Sequence, residues 1–272
     1  MSVPVTVFAS PEELGRAAAR EVADGIAAAY DAGSWYVLGC PGGRTPRTTY
    51  QALADEVARR GLALDHVVIA MVDDYVSVGP GGERRRVPIE ASYSCHRFAR
   101  DEIQAPLNAA SRGSRIPDDH VWLPDPAAPE EYDIRLSERG GVALFLLASG
   151  AGDGHVAFNP PGAGRDTRTR VVTIPASTKR DNLGTFPEFG SPGEVPDHGV
   201  TVGVETIVGS ARRLLMLVHG THKRTALARL AAADAYDPSW PATVVAEGAD
   251  ADIYADAAAA AGLERMDAVS HG

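Results

Sequence analysis

Cysteine, basic residues and long apolar runs are all scarce in this 272-residue sequence. The two cysteines, Cys40 and Cys95, are too few for a disulfide framework or a cysteine-based zinc site, so we expect buried thiols in a reducing compartment. No apolar run reaches the roughly 18 residues that cross a bilayer, and residues 1–4 lack the pattern of a signal peptide. We therefore expect a cytoplasmic protein that does not enter a membrane.

Acidic side chains outnumber basic ones. Thirty-six Asp and Glu against 26 Lys and Arg give a formal net charge of −10. This charge would repel the nucleic-acid backbone and an anionic membrane surface, so we expect neither as a partner. An anionic substrate would need cationic side chains or backbone N–H groups placed around it. The hydrophobic fraction of 44% is that of an ordinary folded globular chain.

Apolar runs of strand length alternate with alanine-rich stretches of helical period. This alternation predicts a doubly wound, Rossmann-like α/β fold with a mostly parallel sheet. Because we find no internal repeat and no linker, we expect residues 1–272 to form a single domain. Ser10, Pro11 and Glu13 predict the start of the first helix through a capping box. The predicted strands are 35–39, 67–72, 142–147, 214–218 and 243–246, and the later helices are 47–60, 93–103, 221–233 and 255–262.

Polar residues follow three of the predicted strands, in the turns Cys40–Thr45, Asp73–Tyr75 and Gly152–His155. Ligands of open parallel sheets bind in the crevice beyond the carboxyl ends of the strands. We therefore expect these turns to share one pocket.

The first turn is suited to bind a phosphate group. Gly42 and Gly43 leave backbone N–H groups open at a helix start, while Arg44 and Thr45 add a guanidinium and a hydroxyl. Lys223 lies at another predicted helix start, where a cation opposes the helix dipole unless an anion joins it. The alternatives are glycines required by a tight turn and a lysine at the surface.

Asp73 and Asp74 directly follow an apolar strand. Because side chains alternate along a strand, at most one should face the pocket, and the other should bond to the scaffold. A carboxylate facing the pocket could take a proton from a carbon beside a carbonyl group. The alternative is a solvated strand end.

The third turn places Asp153 two residues before His155. A carboxylate there can select one tautomer of the imidazole and favour its protonated form. A histidine with a structural role is the alternative. The pair lacks a third ligand in the sequence, so we expect no metal ion, and the sequence offers no nucleotide-cofactor motif.

Taken together, these segments resemble the glucosamine-6-phosphate deaminase family, within a wider group that includes 6-phosphogluconolactonases. The resemblance runs from about Val37 to Ala246 and covers six pieces in the family's order. They are Val37–Tyr50, Asp73–Val76, Ser92–Tyr93, Gly152–Asn159, Thr201–Val204 and Gly220–Lys223.

The resemblance implies a role for each matching residue. Asp73 would move a proton between C2 and C1 of an opened sugar, and Asp153 and His155 would open the ring. Gly42, Gly43, Thr45 and Lys223 would bind the phosphate. The implied reaction converts a 2-amino aldose 6-phosphate to a ketose 6-phosphate and ammonia, without metal or organic cofactor, and a homo-oligomer is a further expectation.

Two positions depart from the family. Pro160 stands where the deaminases have a glutamate that supports the histidine, and Gly184 aligns with a phosphate-binding arginine. Arg44 is unusual in its turn and could supply the missing charge, as could Lys179 or Arg180. Three arginines, Arg84 to Arg86, lie in a predicted exposed loop over residues 79–87 and could cover the pocket.

These departures leave three hypotheses open. The first is an isomerase or deaminase of a phosphorylated amino sugar. The second is a sugar lactonase, in which His155 would activate water, since lactonase relatives also lack the glutamate. The third is a sugar-phosphate sensor without turnover. A purely structural role would instead hold Asp73 and His155 apart, on opposite faces of the sheet.

Overall fold

The computed structural model describes residues 2–263. Within this range the strands are β1 (Val5–Phe8), β2 (Tyr36–Cys40), β3 (Val67–Met71), β4 (Asp73–Val78), β5 (Arg84–Arg86), β6 (Val121–Trp122), β7 (Leu144–Ala148), β8 (Arg170–Thr173), β9 (His198–Thr201), β10 (Leu214–Val218) and β11 (Ala251–Asp256).

The α-helices of the same range are α1 (Pro11–Asp31), α2 (Arg47–Arg60), α3 (Cys95–Phe98), α4 (Ala105–Ala110), α5 (Glu130–Glu138), α6 (Ala176–Leu183), α7 (Val204–Ser210), α8 (Arg224–Ala232) and α9 (Ala257–Ala260). A π-helix, Ala99–Gln104, joins α3 to α4. None of the described helices is both long and apolar enough to cross a membrane. The predicted helix start is confirmed, since Ser10 is the N-cap and its Oγ accepts from Glu13 N. The second bond of the predicted capping box is shifted by one residue, because Glu13 Oε2 accepts from Ala9 N and not from Ser10 N.

Seven strands form a parallel sheet in the order β1-β11-β10-β7-β2-β3-β6, over the residues described. Side chains of one strand enter two cores: Val68 and Ala70 of β3 belong to one, Ile69 and Met71 to the other. Helices α1 and α2 cover one face, and α5, α7 and α8 cover the other. Burial on both faces explains the nearly continuous apolar runs of the four central strands, β10, β7, β2 and β3. The predicted doubly wound fold is confirmed.

A second sheet, which the sequence analysis did not predict, is antiparallel and has the order β5-β4-β9-β8. Only Val72 separates β3 from β4, so the chain passes from the first sheet directly into the second. The Val72 amide donates to Cys40 O, and its carbonyl accepts from Val202 N. The predicted loop over residues 79–87 is therefore partly wrong, because Arg84–Arg86 pairs with Val76–Val78.

Two predictions near the carboxyl terminus are wrong. Residues 243–246 are not a strand but lie in a buried 3₁₀ helix, Pro241–Glu247. A four-residue apolar run fits either structure, and periodicity cannot distinguish them. The helix predicted over residues 255–262 is shorter in the structure, Ala257–Ala260, because β11 extends to Asp256. The Asp256 side chain then caps α9 by accepting from Ala259 N at 2.7 Å.

Candidate active site

A cavity of about 290 Å³ lies at the carboxyl end of the parallel sheet, beyond β2, β3, β7 and β10. The structure brings most of the predicted site residues together on its wall. They are Gly42, Gly43, Arg44, Thr45, Asp73, His155 and Lys223. Asp153 lies behind His155, its side chain only 8% exposed. Asp73 and His155 thus share one cavity, which is contrary to the purely structural alternative.

The first turn connects β2 to α2 at one end of the cavity. Gly43 has a φ of +87°, a conformation that favours glycine. Two contacts fix the conformation of this turn: Tyr50 Oη donates to Pro41 O at 2.9 Å, and His219 Nε2 lies 3.0 Å from Thr45 O. No side chain caps the N-terminus of α2. Its first backbone N–H groups therefore remain available to an anion.

Cationic groups converge on the same end of the cavity. Lys223 Nζ donates to the carbonyl of Ser149. Burial lowers the pKa of Lys223 to about 8; the Asp181 charge opposes this shift and the Arg44 charge adds to it. Burial also lowers the pKa of His222, together with the charges of Lys223 and Arg44. The Arg44 charge lowers the pKa of both Lys223 and His222, which indicates a site that an anion would complete.

Arg44 lies against the position where the family resemblance expects an arginine. A Cβ atom added to Gly184 would lie 3.0 Å from Arg44 Nη2. The guanidinium therefore occupies space that the missing side chain at Gly184 leaves open. Lys179 forms an ion pair with Asp197, and it does not line the cavity, nor does Arg180.

The two acidic residues at the start of β4 point in different directions, as strand alternation predicts. Asp74 Oδ1 accepts from Tyr75 N at 2.8 Å and from Cys95 N at 3.0 Å, and so fixes the start of α3. Asp73 lines the cavity, and its Oδ1 lies 3.4 Å from Cys95 Sγ. Burial raises the pKa of the Asp73 carboxyl to about 7; a hydrogen bond from Cys95 opposes the rise, and the Asp74 charge adds to it.

Asp153 and His155 form a close pair. Asp153 Oδ1 lies 2.6 Å from His155 Nδ1, and Asp153 Oδ2 accepts from Thr178 Oγ1 at 3.0 Å. Burial alone would raise the pKa of Asp153, but the hydrogen bond and charge of His155 outweigh it and hold the pKa well below its usual value. Because Asp153 engages Nδ1, Nε2 is the ring nitrogen left to act on a ligand.

The rest of the motif is structural. Asn159 donates through Nδ2 to Val202 O at 2.8 Å and accepts from Arg170 Nη1 at 2.9 Å, so its carboxamide is committed to the scaffold. Ala157, which lines the cavity, has a φ of +49°, the one positive φ among the non-glycine residues described. Such strain is typical of a functional site. Pro160 offers no polar side-chain atom to His155.

Several polar residues of the cavity wall were not predicted from the sequence, among them Asp181, His219 and His222. His222 lies in the quoted segment Gly220–Lys223, but Asp181 is distant from every motif. Ligand atoms of Asp153, His155 and Asp181 lie within 4.8 Å of one another. The expectation that the pair lacks a third potential metal ligand is therefore wrong. The charges of Arg44 and Lys223 beside this group disfavour a cation.

An apolar cluster closes the other end of the cavity. Tyr75, Phe158 and Phe186 line it, and Tyr93 and Phe189 pack behind them. The Arg84–Arg86 strand lies outside, along a separate open depression that also contacts His96 and Asp125. It does not line the cavity that contains Asp73.

Comparison with known proteins relates the chain to one family. The family model described as glucosamine-6-phosphate isomerases/6-phosphogluconolactonase matches residues 9–254. A glucosamine-6-phosphate deaminase of Beutenbergia cavernae is 32% identical, over 92% of this chain and 90% of its own. One of Mycolicibacterium smegmatis is 31% identical, over 97% and 94%.

Solved structures show the same fold. A monomeric glucosamine-6-phosphate deaminase matches with a TM-score of 0.81 and 25% identity, over 95% of this chain and 99% of its own. A 6-phosphogluconolactonase from Leishmania guyanensis matches with a TM-score of 0.69 and 17% identity, over 97% and 99%. At 17% identity, the similarity to the 6-phosphogluconolactonase shows a shared fold alone.

Proposed function

This chain belongs to the enzyme family of glucosamine-6-phosphate isomerases and 6-phosphogluconolactonases, and on that premise we propose that it is a sugar-phosphate isomerase/deaminase. Its substrate is a 2-amino aldose 6-phosphate, and its products are a ketose 6-phosphate and ammonia. One observation carries the proposal. A single cavity contains a carboxyl group of near-neutral pKa, a carboxylate-bound imidazole and a cationic end.

The phosphate binds at the cationic end. The backbone N–H groups of Gly42 and Gly43, the Thr45 hydroxyl and the Arg44 guanidinium face it from the first turn, and Lys223 faces it from the other side. A dianion here relieves the repulsion between Arg44 and Lys223 that lowers the Lys223 pKa. The binding also orients the sugar carbons toward Asp73 and His155.

The Asp153–His155 pair opens the sugar ring. His155 donates a proton to the ring oxygen as the bond between C1 and the ring oxygen breaks, and the C1 hydroxyl passes its proton to solvent, which yields the open-chain aldehyde. Asp153 accepts a hydrogen bond from Nδ1 and so fixes the orientation and tautomer of the imidazole. Nε2 is therefore the proton-transfer atom.

Asp73 then transfers a proton from C2 to C1. It removes the C2 proton while the C1 carbonyl oxygen takes a proton from solvent, which gives an enolamine. It then returns a proton to C1, which gives the protonated imine at C2. Water adds to this imine, ammonia leaves, and the ketose 6-phosphate remains. A pKa of about 7 suits a group that must both accept and donate a proton near neutral pH.

The direct experiment measures ammonia and ketose 6-phosphate from 2-amino aldose 6-phosphates, with the unphosphorylated sugars as controls. Equal amounts of ammonia and ketose would support the proposal. If the protein binds these compounds but releases neither product, the sensor hypothesis replaces it.

The lactonase remains the second candidate, and Pro160 is the observation that favours it. A lactonase opens its lactone ring by hydrolysis and does not open a hemiacetal, so it does not need the glutamate that supports the histidine in the deaminases. In that case 6-phosphogluconolactone would yield acid, and Asp73→Asn would leave the rate nearly unchanged because no carbon-bound proton moves. Loss of lactone hydrolysis in His155→Ala but not in Asp73→Asn would identify this activity.

A further inference from the structure

Asp181 is a carboxylate of the cavity wall that the proposed reaction does not use. It lies on α6, in which it is the one acidic residue, and its side chain is partly exposed to the cavity. A charged group at the edge of a small cavity acts strongly on its neighbours, because little water screens it. Its neighbours therefore indicate what it does.

One turn of the chain connects Asp181 to the other polar groups of the cavity. Asp181 Oδ2 accepts from Ala151 N at 3.2 Å. Two residues earlier, Ser149 O accepts from Lys223 Nζ. Asp181 also lies within 4.8 Å of Asp153 and His155, measured between their ligand atoms. The Asp181 carboxylate thus lies near the Asp153–His155 pair, and it is bonded to the same short turn, residues 149–151, that binds Lys223.

Lys223 needs a counter-charge. The titratable groups near it come from four elements: Arg44 from the first turn, Asp153 from the third, Asp181 from α6, and His222 from its own turn. Burial disfavours its ammonium form, and so does the Arg44 charge. Asp153 is already bonded to His155 and Thr178, and Asp181 is the acidic group that acts most strongly on Lys223.

We propose that Asp181 is a positioning residue, which keeps Lys223 protonated and fixes it relative to the Asp153–His155 pair. The identity of the bound phosphate compound rests on the function proposed above, but the Asp181–Lys223 interaction does not. Lys223 in this account binds phosphate, and Asp181 acts through it.

A pH effect follows from this arrangement. The pKa of Lys223 is about 8 with Asp181 in place. Asp181→Asn removes a negative charge, so the pKa falls further. A fall of one unit lowers the charged fraction of Lys223 at pH 8 about fivefold, and KM for the phosphorylated substrate rises by about the same factor. kcat changes less, because Lys223 does not take part in proton transfer.

The chain contains only two lysines, Lys179 and Lys223, which allows a direct measurement. With ¹³C-labelled lysine, NMR gives two titrating signals, and Lys179→Arg assigns them. We expect the Lys223 midpoint to fall in Asp181→Asn and to recover in Asp181→Glu. Asp197→Asn is the matched control, because Asp197 pairs with Lys179 and should move only that signal.

An unchanged Lys223 midpoint in Asp181→Asn would overturn the proposal. An equal fall of the Lys223 midpoint in Asp181→Asn and Asp197→Asn would also overturn it. These results need no substrate. If instead the wild-type protein produces no ammonia while the Lys223 midpoint moves as expected, the proposed function fails and the role of Asp181 stands.

Discussion

Asp73 combines burial with a place on the cavity wall, and only 7% of its surface is exposed. Burial makes the charged carboxylate costly and raises its pKa to about 7. As the proposed base it must be ionised, whereas Lys223 must be charged to bind phosphate. The two groups thus set opposite pH requirements.

These requirements predict a bell-shaped dependence of kcat/KM on pH. The value should rise as Asp73 loses its proton near pH 7 and fall as Lys223 loses its proton near pH 8. Lys223→Arg keeps the positive charge at all accessible pH values, so it separates the enzyme's contribution from titration of the substrate amine. If the alkaline limb is identical in Lys223→Arg, then Lys223 does not set it.

Single residues were predictable where they follow a motif or a strand. The alternation of Asp73 and Asp74 follows from strand geometry, and the Asp153–His155 contact follows from their spacing of two residues. Asp181 was not predictable in this way, because α6 reaches the cavity only through tertiary packing. The family resemblance predicts a further carboxylate only at position 160, where this chain has proline, and gives no signal for one on α6.

At the scale of elements, the conformation of the third turn requires glycine at position 154 but not at position 152. Gly154 has a φ of +66°, and a Cβ atom there would lie 2.2 Å from the Trp240 ring. A Cβ at Gly152 would meet nothing within 4 Å. Gly154 therefore fixes the backbone between Asp153 and His155, and Gly152 does not.

This difference predicts a matched pair of variants. Gly154→Ala should lower the free energy of unfolding by about 2 kcal/mol or more and reduce kcat, because His155 is displaced. Gly152→Ala should stay within about 0.5 kcal/mol of the wild type and retain activity. Denaturant unfolding and steady-state kinetics measure both effects, and equal behaviour of the two variants would contradict this role of Gly154.

Arg44 and Gly184 form a second element-scale relation, between the first turn and the end of α6. Arg44→Ala should raise KM about tenfold or more, since it removes a charge-assisted bond to phosphate. Adding Gly184→Arg to that variant should restore part of the loss, because the new side chain enters the space that Arg44 leaves. No recovery in the double variant would show that the two positions are not interchangeable.

The four central strands of the parallel sheet, β10, β7, β2 and β3, were predictable because burial on both faces makes them apolar throughout. The outer strands β1, β11 and β6 were not predicted, because they are short or only partly buried. The strands of the second sheet were not, since β5 is Arg84–Arg86 and β8 and β9 pair across about 30 residues of sequence. The 3₁₀ helix Pro241–Glu247 is as apolar as a strand. Its conformation depends on tertiary packing in the hydrophobic core that also contains residues of β10 and β11.

For the molecule as a whole, the two sheets meet at Val72, and Asp73 is the first residue beyond this junction. That residues 1–272 form a single domain stays a prediction, as do a cytoplasmic location, a homo-oligomer and the absence of a nucleic-acid partner. The shared backbone hydrogen bonds of Val72 indicate that one sheet should not unfold without the other.

This connection predicts one cooperative thermal transition. The calorimetric and van 't Hoff enthalpies should agree, and far-ultraviolet circular dichroism and tryptophan fluorescence should give the same midpoint. Two separate transitions would show that the antiparallel sheet unfolds independently and that the chain has more than one domain.

The most direct test of the central claim follows the proton at C2. With a 2-amino aldose 6-phosphate deuterated at C2, we expect a primary isotope effect on kcat/KM and part of the deuterium at C1 of the ketose, because the buried Asp73 exchanges slowly with water. Asp73→Asn should lower turnover by about 10² to 10⁴. Turnover in Asp73→Asn at the wild-type rate, with no isotope effect, would contradict the account.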